Sequence, residues 1–132
     1  MKLKTLLRVN AGVSLFYGLG LLLVPAQLSA LYGAQLEPVA LMLARLLGAV
    51  TLSISLVAWL ARHAERADPT FLALATAIAI GDAIGTVVAV QAVLDGTVNA
   101  LGWTTVAVTA GLAAGYGHFA FRRPAPIPAR FT

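Results

Sequence analysis

Four long apolar stretches separated by short polar segments dominate this sequence. They cover approximately residues 5–24, 39–61, 70–93 and 102–121. Each is close to the length of about 20 apolar residues that a helix needs to cross roughly 30 Å of hydrocarbon. Backbone groups in hydrocarbon must hydrogen-bond within their own segment, which favours helices over barrel strands. The pattern predicts an all-α protein, a polytopic transmembrane four-helix bundle with up-down topology.

The composition supports a membrane protein and excludes several other classes. Of the 132 residues, 60% are hydrophobic and 11% are charged, whereas a soluble domain has about 25% charged residues. The chain has no Cys, which excludes disulfides, thiolate metal sites and redox CxxC pairs. The formal net charge is +4, but the basic residues collect at span ends rather than along one surface. We therefore expect a lipid bilayer as partner and no nucleic acid.

The basic residues also predict how the bundle is oriented. Loops 25–38 and 94–101 contain no Lys or Arg, and eight of the nine basic residues lie on the other side. These eight are Lys2, Lys4, Arg8, Arg62, Arg66, Arg122, Arg123 and Arg130. By the positive-inside rule, we expect a multi-pass protein of a bacterial-type inner (plasma) membrane with both termini cytoplasmic. The first segment also has features of a secretory signal, but the charge pattern requires it to remain as a span.

The segments between and after the spans complete the predicted organisation. The loop "PAQLSALYGAQLEP" is too apolar to be solvated, and Leu28, Leu31 and Tyr32 follow a helical spacing. This favours a short interfacial helix between spans 1 and 2. Residues 1–123 are predicted to form a single transmembrane domain. The Pro-rich residues 124–132 are predicted to form an extended cytoplasmic tail.

Small residues recur every four positions in the last two spans. Ala77, Gly81 and Gly85 belong to such a ridge in the third span, and Gly111 and Gly115 to one in the fourth. Ridges of this kind let helix backbones approach closely where lipid removes the hydrophobic driving force. The four glycines are therefore predicted to pack spans 3 and 4 together. The alternative is a contact between protomers.

The stretch "AIAIGDAIGTVVAV" places one acid, Asp82, near the middle of the third span. It lies about 18 Å from either end of that span, and an unpaired charge at this depth costs at least about 3 kcal/mol. Asp82 therefore needs a partner or is protonated. Arg45 is the one basic residue inside a span. Two interpretations follow: a buried pair that fixes helix register, or a ligand, proton or ion site.

Other polar residues extend this candidate site. Asn10, Ser14 and Tyr17 share one face of the first span, and Thr86 shares a face with Asp82. The predicted ligand site or buried polar cluster thus consists of Asn10, Ser14, Tyr17, Arg45, Asp82 and Thr86. His118 has no HxxxH or carboxylate partner at ligand spacing, so we predict no metal site. No nucleophile pattern and no phosphate-binding Gly loop is present, and we predict neither catalytic residues nor a cofactor.

At "LVPAQLSALYG", "LARLLGA" and "NALGW" the chain resembles small bacterial four-span membrane proteins of the broad DoxX-like kind, many of them uncharacterised. The resemblance implies a four-helix inner-membrane protein. Some relatives of this kind are tied to sulfur or thiol chemistry, and the absence of Cys here departs from that association.

The sequence leaves three classes of function open. The first is a non-enzymatic binding or accessory module for a lipid-like or hydrophobic ligand, or for a partner membrane protein. The second is a transporter or channel for small solutes or ions. A bundle of 132 residues would need to form a homo-oligomer or join a larger membrane complex to make a pore. A membrane-embedded enzyme is the third.

Overall fold

A computed structural model describes residues 2–63 and 68–121, and this part of the chain is helical with short connecting turns. The helices are α1 (Leu3–Leu23), α2 (Pro25–Leu31), α3 (Pro38–Leu60), α4 (Pro69–Leu94) and α5 (Gly102–Phe121), with a 3-10 turn at Ala61–His63. The all-α prediction is confirmed for this part. The predicted tail 124–132 lies outside the described residues, as do Arg66, Arg122, Arg123 and Arg130.

Three of the described helices are long and apolar enough to cross a membrane: α1, α3 together with the turn that follows it, and α4. Helix α5 has 20 residues but is less apolar, because Gly, Thr, Tyr and His occupy many of its positions. The structure thus supports a membrane protein with three candidate spans. That α5 forms the fourth span stays a prediction.

Local signals in the sequence explain where the helices begin and turn. Pro occupies the first turn of α2, α3 and α4, where its missing N–H would have no helical partner. The N–H of Thr70 donates to Asp68 Oδ1 at 2.8 Å, which caps the start of α4. Gly33 and Gly96 follow α2 and α4 with φ of 78° and 77°, a conformation that favours glycine. The helix predicted between spans 1 and 2 is present as α2.

The helices form two antiparallel pairs, α1 with α3 and α4 with α5. The first pair is held by direct backbone contact. A Cβ atom on Gly48 would lie 2.7 Å from the N atom of Leu22 and 2.8 Å from the O atom of Gly18. Nearby, Ser55 Oγ donates to the carbonyl of Ala11 at 2.7 Å. The Gly18–Gly48 crossing is therefore the close approach of helix backbones in this fold.

The α4–α5 pair packs differently from the predicted small-residue ridges. A Cβ atom on Gly81 or Gly111 would meet nothing within 4 Å, and one on Gly85 would lie 3.9 Å from Thr109. A Cβ atom on Gly115 would meet Leu6 of α1 at 2.8 Å. Gly81 and Gly111 therefore do not lie where helices meet, and Gly115 packs against α1, which corrects the predicted role of these three glycines. Gly85 alone faces α5, at Thr109.

The buried core lies at one end of the bundle, which we call the basic end because Lys2, Lys4, Arg8 and Arg62 lie there. The core combines residues from the start of α1 and α4 with residues from the end of α3 and α5. Its members include Leu6, Leu7, Ala58, Phe71, Ala75, Tyr116 and Phe119. Helix α1 touches α5 in this region. The two helix pairs are thus joined at the basic end, and less tightly toward the opposite end.

We expect Gly48→Ala to destabilise the protein, because the new methyl group would meet backbone atoms that move only if α1 and α3 separate. Overpacking of this kind costs about 1–3 kcal/mol. The matched control is Gly12→Ala in α1, where a Cβ atom would meet nothing within 4 Å. Thermal unfolding in detergent should show a lower Tm for the Gly48 variant alone. Equal Tm values for the two variants would contradict the proposed crossing.

Candidate functional site

A cavity of about 630 Å³ lies between the two helix pairs and is lined by α1, α3, α4 and α5. This volume falls within the range of about 300–1,000 Å³ that is typical of small-molecule sites. Most of the wall is apolar, formed by Val13, Leu21, Leu47, Ile54, Ile78, Val108 and Leu112. The polar lining consists of Asn10, Ser14, Tyr17, Thr51, Asp82, Thr105 and Thr109. The cavity can therefore surround an apolar body and meet a small polar group.

Hydrogen bonds between buried side chains close the cavity toward the basic end. Asn10 Nδ2 donates to the hydroxyl of Tyr116 at 2.8 Å, and Ser14 Oγ donates to Asn10 Oδ1 at 2.9 Å. Asn10 is 2% exposed and Tyr116 is fully buried. The Asn10–Tyr116 bond ties α1 to α5, and so ties one helix pair to the other, while the Ser14 bond holds the Asn10 side chain in place.

A second set of hydrogen bonds, centred on Tyr32, closes the opposite end. The hydroxyl groups of Tyr17 and Tyr32 lie 2.7 Å apart, and Thr105 Oγ1 donates to the Tyr32 hydroxyl at 3.3 Å. The N–H of Asn99 donates to the carbonyl of Tyr32 at 2.8 Å, and its side chain donates to the carbonyl of Leu31 at 2.9 Å. The segment after α2 is thus fastened to the α4–α5 loop and to α5.

Asp82 lies on the cavity wall between these two closures. Its Oδ2 atom is buried and has no hydrogen-bond partner among the described residues. Its carbonyl accepts from Thr86 Oγ1 at 2.7 Å, and Thr86 Oγ1 is also 2.9 Å from Thr109 Oγ1 of α5. Buried polar atoms are nearly always hydrogen-bonded. The free Oδ2 atom therefore marks the place where the site lacks a hydrogen-bond partner.

Arg45 does not reach Asp82. It is exposed on α3, it is absent from the cavity lining, and the described residues show no ion pair between the two. The Gly18–Gly48 crossing places Arg45 level with Leu21, about 10 Å along the helix from Ser14. Side chains on a helix also lean toward its N-terminus, which for α3 points away from the level of Asp82. The structure therefore gives no support to a buried pair that fixes register.

Most of the predicted site residues do come together. Asn10, Ser14, Tyr17 and Asp82 line the same cavity, and Thr86 joins the turn of Asp82 to α5. Residues that the sequence analysis missed are Tyr32, Asn99, Thr105, Thr109 and Tyr116. Thr105 and Thr109 could have been predicted as a pair from the sequence, because they are four positions apart and so share one face of α5. The cavity is also lined by Gly81 and Gly85, and the missing side chain of Gly81 adds space to it.

His118 and a second cavity offer fewer polar groups for binding. His118 is exposed, and its ring meets Phe119 edge-on. No group of three His, Cys, Asp or Glu side chains in the described residues could hold a metal ion. A second cavity, of about 430 Å³, lies against α1 and α3 near the basic end, with Arg8 and Trp59 in its lining. Its buried hydroxyl, that of Ser55, is already bonded to Ala11.

Comparison of the chain with protein-family models, curated proteins and solved structures gave no match. The resemblance to DoxX-like proteins therefore stays a prediction. Function is inferred below from the cavity between the helix pairs.

We expect Asp82→Asn to leave the free energy of unfolding unchanged or to raise it, because the Oδ2 atom has no partner to lose. Tyr116→Phe provides the comparison. It leaves the buried amide of Asn10 without its acceptor, a loss of about 1–3 kcal/mol. Unfolding of both variants should be followed in the same detergent. A loss in Asp82→Asn as large as that in Tyr116→Phe would mean that the carboxylate has a partner.

Proposed function

We propose that this protein is a non-enzymatic integral membrane protein that binds a hydrophobic, lipid-like molecule in the cavity between its helix pairs. The observation that carries the proposal is a mostly apolar cavity with one buried, unpartnered carboxylate oxygen, Asp82 Oδ2. Apolar walls with a few convergent polar groups are typical of small-molecule sites. Ionisable groups at mid-membrane depth are as a rule functional.

The ligand enters from the side, out of the lipid phase. Helices α3 and α4 make no extended contact with each other, although both line the cavity. On α4 the cavity lining includes Ala77, Gly81 and Gly85, which leave space because their side chains are small or absent. The closures at the two ends, Asn10–Tyr116 and Tyr17–Tyr32, separate the cavity from the membrane surfaces.

The proposed topology has four spans, with α5 as the fourth, in a bacterial-type inner membrane with both termini cytoplasmic. The lower hydropathy of α5 is compatible with a span because Thr105 and Thr109 face the cavity and the Tyr116 hydroxyl is bonded to Asn10. These polar groups face the interior of the bundle rather than its outer surface. Arg62 and its stacking partner Trp59, 4.3 Å from guanidinium carbon to ring centroid, then lie at the cytoplasmic interface.

A transport role is the second candidate, and one observation favours it. Hydroxyl groups follow one another from the turn of Asp82 to the opposite end, contributed by Thr86, Thr109, Thr105, Tyr32 and Tyr17. Toward the basic end this series stops at a packed core that includes Leu6, Phe71 and Phe119. One copy of the chain thus offers half a polar path, so transport needs a homo-oligomer or a larger membrane complex. Binding requires no such addition.

The topology can be tested on single-Cys variants, because the chain has no Cys of its own. Gln35→Cys and His63→Cys place thiols at exposed positions on opposite ends of the bundle. A membrane-impermeant maleimide should label Cys at position 35 in intact cells, and at position 63 only after permeabilisation. A fluorescent protein fused after residue 132 should be fluorescent, as expected in the cytoplasm. Labelling of both thiols in intact cells would refute the orientation.

Ligand binding can be tested by filling the cavity. Gly81→Leu inserts a side chain into the cavity, and Gly111→Leu is the matched control, because a Cβ atom at either glycine meets nothing within 4 Å. The probe is a long-chain alcohol with a photoreactive diazirine, cross-linked to the purified protein in lipid nanodiscs. We expect cross-links at cavity-lining residues to be lost in Gly81→Leu and retained in Gly111→Leu. Equal cross-linking in both variants would refute the site.

A further inference from the structure

Three hydroxyl groups that line the cavity with Asp82 donate their hydrogens to other groups. Ser14 donates to Asn10, and Thr109 donates to the carbonyl of Thr105 at 2.9 Å. Thr51, on the α3 wall, donates to the carbonyl of Leu47 at 2.8 Å. What remains is the Oδ2 atom of Asp82, which only accepts hydrogen bonds when the carboxyl group is ionised. A ligand that complements this oxygen atom therefore brings a donor.

The cavity also lacks a positive charge to balance the carboxylate. No Lys, Arg or His lies in its lining. Arg45 is exposed on α3, and the other described basic residues lie at the basic end. An ammonium donor adds a direct attraction between opposite charges to its hydrogen bond with a carboxylate, which a neutral donor does not. In surroundings of low dielectric constant, a cationic ligand gains more from Asp82 than a neutral ligand does.

We propose that the ligand is a hydrophobic amine, whose ammonium group donates to Asp82 Oδ2 while its apolar body fills the cavity. This inference rests on the proposed function and specifies its ligand class. The walls around the carboxylate, such as Ile78, Val108 and Leu112, suit an alkyl chain or a ring system. In its ionised form the Asp82 carboxyl group repels anionic amphiphiles and so selects against free fatty acids, which have similar apolar bodies.

The test uses three photoreactive probes with the same diazirine-bearing alkyl chain and different head groups: a primary ammonium, a hydroxyl or a carboxylate. The full-length protein is cross-linked in nanodiscs of zwitterionic lipid, and labelled residues are mapped by mass spectrometry. We expect the ammonium probe to reach half-maximal labelling of the cavity at a concentration about tenfold lower than the hydroxyl probe, as charged hydrogen bonds of this strength predict. The carboxylate probe should label least.

Asp82→Asn should remove the preference, so that the ammonium and hydroxyl probes label the variant at similar concentrations. Continued cross-linking of the hydroxyl probe to cavity-lining residues in the variant reports that the cavity is intact. Equal labelling by the ammonium and hydroxyl probes in wild type would overturn the inference without any variant. So would an ammonium preference that survives in Asp82→Asn. A different result would overturn the proposed function: if each of the three probes labels Gly81→Leu as strongly as Gly111→Leu, the cavity is not the binding site.

Discussion

The hydrogen bond from Asn10 to Tyr116 joins the two helix pairs beside their shared core, while each pair is also held together from within. Helices α1 and α3 pack together at the Gly18–Gly48 crossing, and α4 and α5 are joined by the Thr86–Thr109 hydrogen bond. Neither pair needs the other to satisfy its backbone, since helices bond internally. The pairs can therefore meet at their ends and stay apart in the middle, and the cavity is the space that remains.

Glycine has two opposite effects in this bundle, and both depend on the neighbouring helix. At Gly48 the missing side chain lets two backbones touch, so the glycine removes space between α1 and α3. At Gly81 no neighbour approaches, so the missing side chain adds space to the cavity. A spacing of four residues between small side chains predicts which face of a helix allows a close approach. The rotation of each helix about its axis decides whether another helix packs against that face.

This difference explains how much could be predicted from the sequence. Helix positions follow from apolar windows and from local signals such as Pro69 and the Asp68 cap, which need no tertiary information. Asn10, Ser14 and Tyr17 could be grouped because they share one helix face. Tyr116, Tyr32 and the exposed position of Arg45 could not be predicted, because a span that is apolar all round has no preferred buried face. Their placement depends on how α1 meets α3 and α5.

The two hydrogen-bonded closures also explain how the fold tolerates the free oxygen of Asp82. A buried polar atom without a partner is costly, and a bundle packed tightly around it would have to supply a donor or exclude the residue. Here the two helix pairs are joined at the closures, so the wall around Asp82 contributes little to stability. The wall therefore does not have to supply a donor for the Oδ2 atom. If the cavity holds an amine as proposed, the ligand provides the missing donor. Without the ligand, the bundle is less stable at the same place where it gains selectivity, a trade-off common at binding sites.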